Sequence, residues 1–412
     1  MSDPRFTPDR ASLGASHQAS RQSSRDFVRH FHSVRAMVRA LRPVRPVYCL
    51  RPAELRAAAA RFRDGISGDV LYAVKCNPHP AVLRILSAAG VAGFDAASIV
   101  EVAAARNADA NAEIGFLNPV KPRGDIRDAY RFQGVRLFVI DHESELGKIV
   151  DELGGADDVT ILVRFATPPA DALYELSDKF GATPKVAAQL LSAVAARGWR
   201  AGLAFHVGSQ CKTPTAYTDA LISAGEIARQ SGVDLACVDV GGGFPAFYIG
   251  EAPQPLPAYF EAIALGVRQS GLNCRLICEP GRALVASACS LVVQVQLRKD
   301  GDLYINDGVY HSLSETVTGG LRYPVRLIRL DGDPSTQTQP FRMFGPTCDS
   351  TDVLPTPFAL PVDTREGDWI EIGQIGAYSN AVSTQFNGVR PETFVTVETP
   401  PFDESGQDGE LG

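Results

Sequence analysis

Eight short apolar runs, each closing on polar or glycine residues, alternate with stretches of helical periodicity and constrain this chain more than any other feature. The runs occupy residues 69–75, 92–98, 113–119, 136–141, 159–165, 200–208, 235–243 and 276–282. Between them, residues 81–89, 99–107, 184–197 and 217–230 carry apolar positions at helical spacing. Such alternation implies parallel strands joined by helical crossovers. Eight successive units over roughly 215 residues predict a closed (β/α)8 TIM barrel. An open doubly wound sheet is the rival, but it wants a G-x-G-x-x-G turn after its first strand, and none is present.

Beyond residue 285 the texture changes to short branched-residue runs at 290–297, 303–306, 325–330 and 369–372, separated by turn clusters such as Asp331-Gly332-Asp333-Pro334. This predicts a C-terminal antiparallel β domain of roughly 115 residues. The expected organisation is a basic, partly disordered extension over 1–44, the barrel over 45–285, the β domain over 286–400 and an acidic tail over 401–412. The strand at 47–50, which ends before the Pro52 helix start, is open to either lobe.

Composition narrows the function classes. Of 412 residues, 45% are hydrophobic and 21% charged, enough to build a large core. Eight cysteines without a C-x-x-C pair fit neither a disulfide scaffold nor a zinc knuckle, so no metal site is assigned and a cytoplasmic, reducing compartment is expected. The apolar stretch 283–297 is too short and too polar to span a bilayer, so no membrane association is expected. The net charge of −7 hides a division: residues 1–45 hold nine arginines against three aspartates, leaving an acidic body. That arm is read as a solvated extension, with a transit peptide or nucleic-acid arm as alternatives. The acidic body makes nucleic acid an unsuitable partner and favours a small cationic substrate.

Barrel enzymes build their sites from the C-terminal ends of strands. Those ends carry Lys75, Asp95, Asn118, Arg164, His206 with Ser209, Gly241 to Gly243, and Glu279 with Gly281 and Arg282. Lys75 alone has two readings: a packed stem with a snorkelling amine, or a carbonyl-trapping amine whose desolvation lowers its pKa for Schiff-base chemistry. The three glycines and Arg282 after the seventh and eighth strands suit an anion cradle at the usual phosphate position of this fold. A phosphate cradle beside a Schiff-base lysine suggests pyridoxal 5'-phosphate. Glu279 then accepts the pyridine N–H and keeps the ring a strong electron sink. His206 is a core histidine or a ring-stacking group.

The motifs Tyr72-Ala-Val-Lys75-Cys-Asn77, Phe94-Asp95-Ala-Ala-Ser98, Ser177-Asp-Lys-Phe180-Gly181 and Phe205-His206-Val-Gly-Ser209-Gln210 form one set. Asp239-Val-Gly-Gly-Gly243, Glu279-Pro-Gly-Arg282, Asn306-Asp-Gly-Val-Tyr310, Gly345-Pro-Thr-Cys348-Asp349 and Gly376-Ala-Tyr378 form another. In this order, from about residue 45 to 398, they resemble the fold-type III pyridoxal-phosphate decarboxylases, the ornithine decarboxylase group. The resemblance implies an alanine-racemase-like barrel, a C-terminal β domain and a homodimer with shared active sites. It implies that Lys75 holds the cofactor, Glu279 pairs with the pyridinium, His206 stacks on the ring, and Asp95 and Arg164 lie near the Schiff base and the cofactor oxygen. Ser209, Gly243, Gly281, Arg282 and Tyr378 would grip the phosphate. Cys348 and Asp349 would enter from the neighbouring subunit, the thiol protonating the product carbanion and the carboxylate meeting the substrate's distal ammonium. An inert buried thiol is the plain alternative for Cys348.

Asp349, where diaminopimelate decarboxylases have a Cys-Glu-Ser run, favours a bare terminal ammonium, as in ornithine or lysine. Eukaryotic-type ornithine decarboxylases carry a further acid in a Tyr-Asp-His run, where this chain reads Tyr310-His311-Ser312-Leu313-Ser314-Glu315. Glu315 is a substitute substrate ligand or a surface charge. The expected activity is decarboxylation of ornithine to putrescine or of lysine to cadaverine. A diaminopimelate-like or modified diamino acid, an amino-acid racemase and a non-catalytic binding protein of the antizyme-inhibitor kind are the alternatives. Glu279 argues against the racemase.

Overall fold

The computed structural model describes residues 28–174 and 178–402. The first 27 residues of the basic extension, the acidic tail from 403 and Ser177 lie outside them.

Two strands precede the barrel, β1 (Arg29–Phe31) and β2 (Val47–Leu50). The barrel follows as β3 (Asp69–Ala73), β4 (Gly93–Ala96), β5 (Glu113–Phe116), β6 (Leu137–Ile140), β7 (Thr160–Arg164), β8 (Arg200–Ala204), β9 (Cys237–Asp239) and β10 (Arg275–Cys278). All eight pair in parallel in chain order, and β10 closes on β3 through Ile277 opposite Asp69. Strand alternation sorts the side chains. Leu71, Leu137, Val139, Leu162 and Ile277 fill the barrel interior, whereas Val70, Tyr72, Phe138, Ile161 and Val163 face the helical ring. Each of the aliphatic side chains contributes roughly 1.5–3 kcal/mol by burial. At the N-terminal end Arg275 clasps the closure, its Nε on Asp69 at 2.5 Å and its fork on Glu113 at 2.9 and 2.6 Å. The opposite end is thereby left to the site.

The second lobe contains β11 (Cys289–Lys299), β12 (Asp302–Ile305), β13 (Val325–Ile328), β14 (Thr338–Phe344), β15 (Phe358–Pro361), β16 (Trp369–Ile372) and β17 (Thr393–Val397). The sheet runs β1-β17-β2-β11-β12-β14-β15, with β16 branching from β11 to β13. It is mixed rather than purely antiparallel, because β1 with β17, β17 with β2 and β12 with β14 pair in parallel. Inside it Arg51 donates to Glu371 at 2.8 Å, and Arg326 approaches the other carboxylate oxygen at 2.7 Å.

Two expected boundaries are corrected. Residues 28–44 are not an extension: β1 adds to the sheet, and the helix Val34–Leu41 buries Val34, Met37 and Val38 against Val292, Trp369 and Val395. Ser33 caps that helix, its Oγ accepting from Ala36 N–H at 3.0 Å. Residues 47–50 form a β-lobe strand between β11 and β17, so the barrel proper starts at Asp69 rather than at 45. No helix among the described residues is long and apolar enough to cross a membrane.

Candidate active site

Lys75 does not end a strand. β3 stops at Ala73, and Lys75 sits in the short 3-10 turn Val74–Cys76. The turn is stitched to the 376–378 loop. Asn77 Nδ2 donates to Gly376 O at 2.9 Å, and Tyr378 N–H donates to Cys76 O at 2.9 Å. Tyr378 takes the left-handed conformation, φ +50°, which a non-glycine residue adopts only when its surroundings hold it there. Those bonds fix the Lys75 amine at the floor of a cavity of about 570 Å³ at the C-terminal end of the barrel.

Lys75, Arg164, His206, Ser209, Gly243, Glu279, Arg282, Glu315 and Tyr378 all line this cavity, with Leu117, Leu162 and Ala204 as apolar wall. Asp95 stands behind the lysine, its Oδ2 at 2.7 Å from Nζ. Desolvation pulls the ammonium's pKa down, but Asp95 and Glu279 outweigh it and hold the pKa above the ordinary lysine value. In the cofactor-free chain the neighbouring carboxylate of Asp95 thus acts against the lowering that desolvation alone would give Lys75. Its proton has to leave before the nitrogen can attack a carbonyl.

Glu279 follows β10 and meets Asp239 at the end of β9. Burial first, and then the neighbouring carboxylates Asp239 and Asp95, push the Glu279 carboxyl well up. Burial raises Asp239 to about 6 against the hydrogen bonds that stabilise its charge. Asp239 Oδ1 accepts Gly241 N–H at 2.8 Å. Two buried carboxyls in contact need a shared proton or a cation beside them. Asp239, the missed member of this pair, closes a buried strand, and Asp95 lies one residue before the end of another; that position was the available signal.

His206 is kept neutral by burial and by the positive charges of Arg164 and Lys75. Its Nδ1 accepts Gly208 N–H at 3.0 Å, which places the proton on Nε2. A Cβ on Gly242 would lie 3.2 Å from that Nε2 and 2.7 Å from Glu279 O. On Gly243, at φ +102°, a Cβ would strike Gly208 O. Only glycine allows the chain to pass so close. Gly281 is required in the same way, since a Cβ there would meet Cys76 Sγ.

Arg282 stacks on Tyr378 at 4.8 Å and grips Glu315 in a fork of 2.7 and 2.8 Å. Glu315 is thus not a surface charge: both its oxygens already bond Arg282, and a substrate ammonium would have to share them with that guanidinium. Cys348 and Asp349 do not line the cavity of their own chain. Cys348 is exposed. Asp349 accepts Tyr310 OH at 2.6 Å and Thr351 N–H at 2.8 Å, bonds that hold its carboxyl below the usual range.

An amine, a buried acid pair and a glycine–arginine cradle at the mouth of a parallel barrel define an enzyme-type site for a group carrying both a carbonyl and a phosphate. The donors fit such a group: Arg282 Nε is buried without an acceptor among the described residues, and the acid pair calls for a cation. Similarity to known proteins points the same way. The pyridoxal-binding domain of the pyridoxal-dependent decarboxylases matches residues 53–286. A lysine/ornithine decarboxylase of Selenomonas ruminantium is 33% identical over 81% of this chain and 84% of its own length. Antizyme inhibitor 2 of Xenopus laevis is 33% identical over 77% of this chain and 73% of its own. The solved arginine decarboxylase of Paramecium bursaria Chlorella virus superposes with a TM-score of 0.78 at 26% identity, covering 88% of this chain and 98% of that one. The chain belongs to the pyridoxal-dependent decarboxylases, the group of ornithine, lysine and arginine decarboxylases, and its cofactor is pyridoxal 5'-phosphate.

Proposed function

We propose that the protein decarboxylates a basic L-amino acid, ornithine to putrescine first and lysine to cadaverine second. One observation carries the reading: the Lys75 amine, Glu279 with Asp239 behind it, and Arg282 converge on a single cavity. When bound there, the cofactor supplies an electron sink for the pair left by the departing carboxylate. The chain's own groups do the rest. Lys75 would hold the cofactor through its carbonyl carbon, with Asp95 beside it to manage the lysine proton and Arg164, on the same cavity wall, to meet the cofactor oxygen. Glu279 accepts the pyridine N–H and Asp239 orients it. His206, kept neutral by burial and by Arg164 and Lys75, would stack on the cofactor ring without adding a competing charge. Ser209, Gly243, Arg282 and Tyr378, which line the cavity, would bind the phosphate with Gly281 behind them, and the apolar wall would strip water from the substrate carboxylate.

Cys348 and Asp349 are assigned to the second copy of a homodimer, which accounts for their absence from the cavity of their own chain. From there Cys348 delivers a proton to the substrate carbon, and Asp349, kept ionised by Tyr310, meets the distal ammonium. Eight free thiols suit a cytoplasmic, reducing setting.

The test is release of carbon dioxide from ornithine, lysine, arginine and meso-diaminopimelate by the cofactor-loaded protein, with chiral analysis of recovered substrate. Turnover of ornithine or lysine supports the proposal. Preference for diaminopimelate overturns the substrate, racemised substrate without carbon dioxide overturns the reaction, and no chemistry on any of them leaves a binding protein.

A further inference from the structure

Glu315 occupies an unusual place for a carboxylate in a site that receives a phosphate. It opens the one-turn helix Glu315–Thr318 and sends both oxygens to Arg282. The two side chains are only 3% and 7% exposed, yet both reach the cavity wall. The pair is braced, since Tyr248 OH accepts from Arg282 Nη1 at 2.9 Å and Tyr174 OH donates to Glu315 Oε1 at 3.4 Å. A guanidinium has five N–H donors. Two go to Glu315 and one to Tyr248, so the buried Nε–H, which lacks an acceptor among the described residues, and one Nη2 hydrogen are left.

A phosphate reaching Arg282 therefore finds its strongest cation already neutralised. It must share that guanidinium with a carboxylate in a water-poor site, where like charges repel strongly. Accepting Arg282 as a phosphate ligand, as proposed above, we infer that Glu315 competes with the cofactor's phosphate for Arg282 and so sets how tightly the cofactor is held. In the cofactor-free chain the same carboxylate compensates a buried arginine that would otherwise be left alone. Both effects act in one direction: removing the negative charge at 315 favours the phosphate.

The experiment titrates the full-length, cofactor-depleted protein with pyridoxal 5'-phosphate and, separately, with phosphate-free pyridoxal. Binding is read from the absorbance of the Lys75 Schiff base at about 420 nm. Glu315→Gln should tighten the phosphate ester by about tenfold, the equivalent of ~1.4 kcal/mol, and leave pyridoxal within about twofold. Glu315→Ala, which removes the carboxylate without leaving an amide, should shift the ratio of the two constants the same way. Tyr248→Phe removes a neutral bond to the same guanidinium and should not tighten the ester. Equal shifts for both ligands, weaker ester binding in the Gln and Ala variants, or equal tightening in Tyr248→Phe would each overturn the inference. A wild-type protein forming no such band with either ligand would instead overturn the cofactor role given to Lys75.

Discussion

Asp239→Asn tests the acid pair directly. In the cofactor-free chain Asp239 is wholly buried and its carboxyl is pushed from 3.8 to about 6, chiefly by burial. A rise of that size corresponds to about 3 kcal/mol between the charged and neutral forms. The raised pKa means that the folded state binds the proton more tightly than the unfolded one. Stability is therefore fully present below the unfolded value near 4 and is lost as pH rises through about 6. Asparagine cannot ionise, keeps an oxygen for Gly241 N–H and offers an N–H to Glu279. The variant should match wild type near pH 4 and exceed it at pH 8 by up to about 3 kcal/mol. Urea midpoints of cofactor-depleted protein at the two pH values measure this. Adding pyridoxal phosphate should shrink the gain, because the pyridinium gives the wild-type pair its cation. An Asn variant less stable than wild type at pH 8, or shifted equally at both pH values, would refute the reasoning.

The β lobe offers two simpler perturbations. Arg51→Met leaves the wholly buried Glu371 with Arg326 as its remaining cation and should cost about 3–5 kcal/mol in urea unfolding; a loss below about 1 kcal/mol would contradict that role for Arg51. Ser33→Ala removes the cap of the helix Val34–Leu41 and should cost about 1 kcal/mol. Faster amide exchange should be confined to that helix and β1, and unchanged exchange there would contradict the cap assignment.

The barrel was legible because parallel strands buried on both faces read as continuous apolar runs. Strands such as 137–140 and 160–164 fall within the runs that announced them. The ends of those runs also delivered Lys75, His206, Glu279 and Arg282 to one cavity. The helix Val34–Leu41 was hidden by charge. Arginines at 35 and 39 made its segment look like a basic arm, although Val34, Met37, Val38 and Leu41 keep helical spacing behind a Ser33 cap. β14 escaped notice because Pro340 and Arg342 interrupt its apolar run and its pairing comes from neighbours distant in the chain, whereas the Thr-Phe-Val-Thr-Val run of β17 did carry a legible strand signal. The charge state of Lys75 could not be read from an apolar strand, since Asp95 and Glu279 reach it only through the closed barrel. The partner of Glu315 was likewise a tertiary fact.

Everything proposed for the site depends on Lys75 being the amine that takes the cofactor, although its pKa is raised. A buried lysine, Lys121, lies beside the site. Lys121 is lowered to about 8 by burial and donates to Asn118 O at 2.9 Å and Val139 O at 2.6 Å. On pKa alone Lys121 would be the readier nucleophile; on geometry Lys75, not Lys121, lines the cavity. Borohydride reduction of the pyridoxal-phosphate-loaded protein followed by peptide mass analysis decides between them. A phosphopyridoxyl group on Lys75 and none on Lys121 is the expected result; a group on Lys121, or none on either, would contradict it.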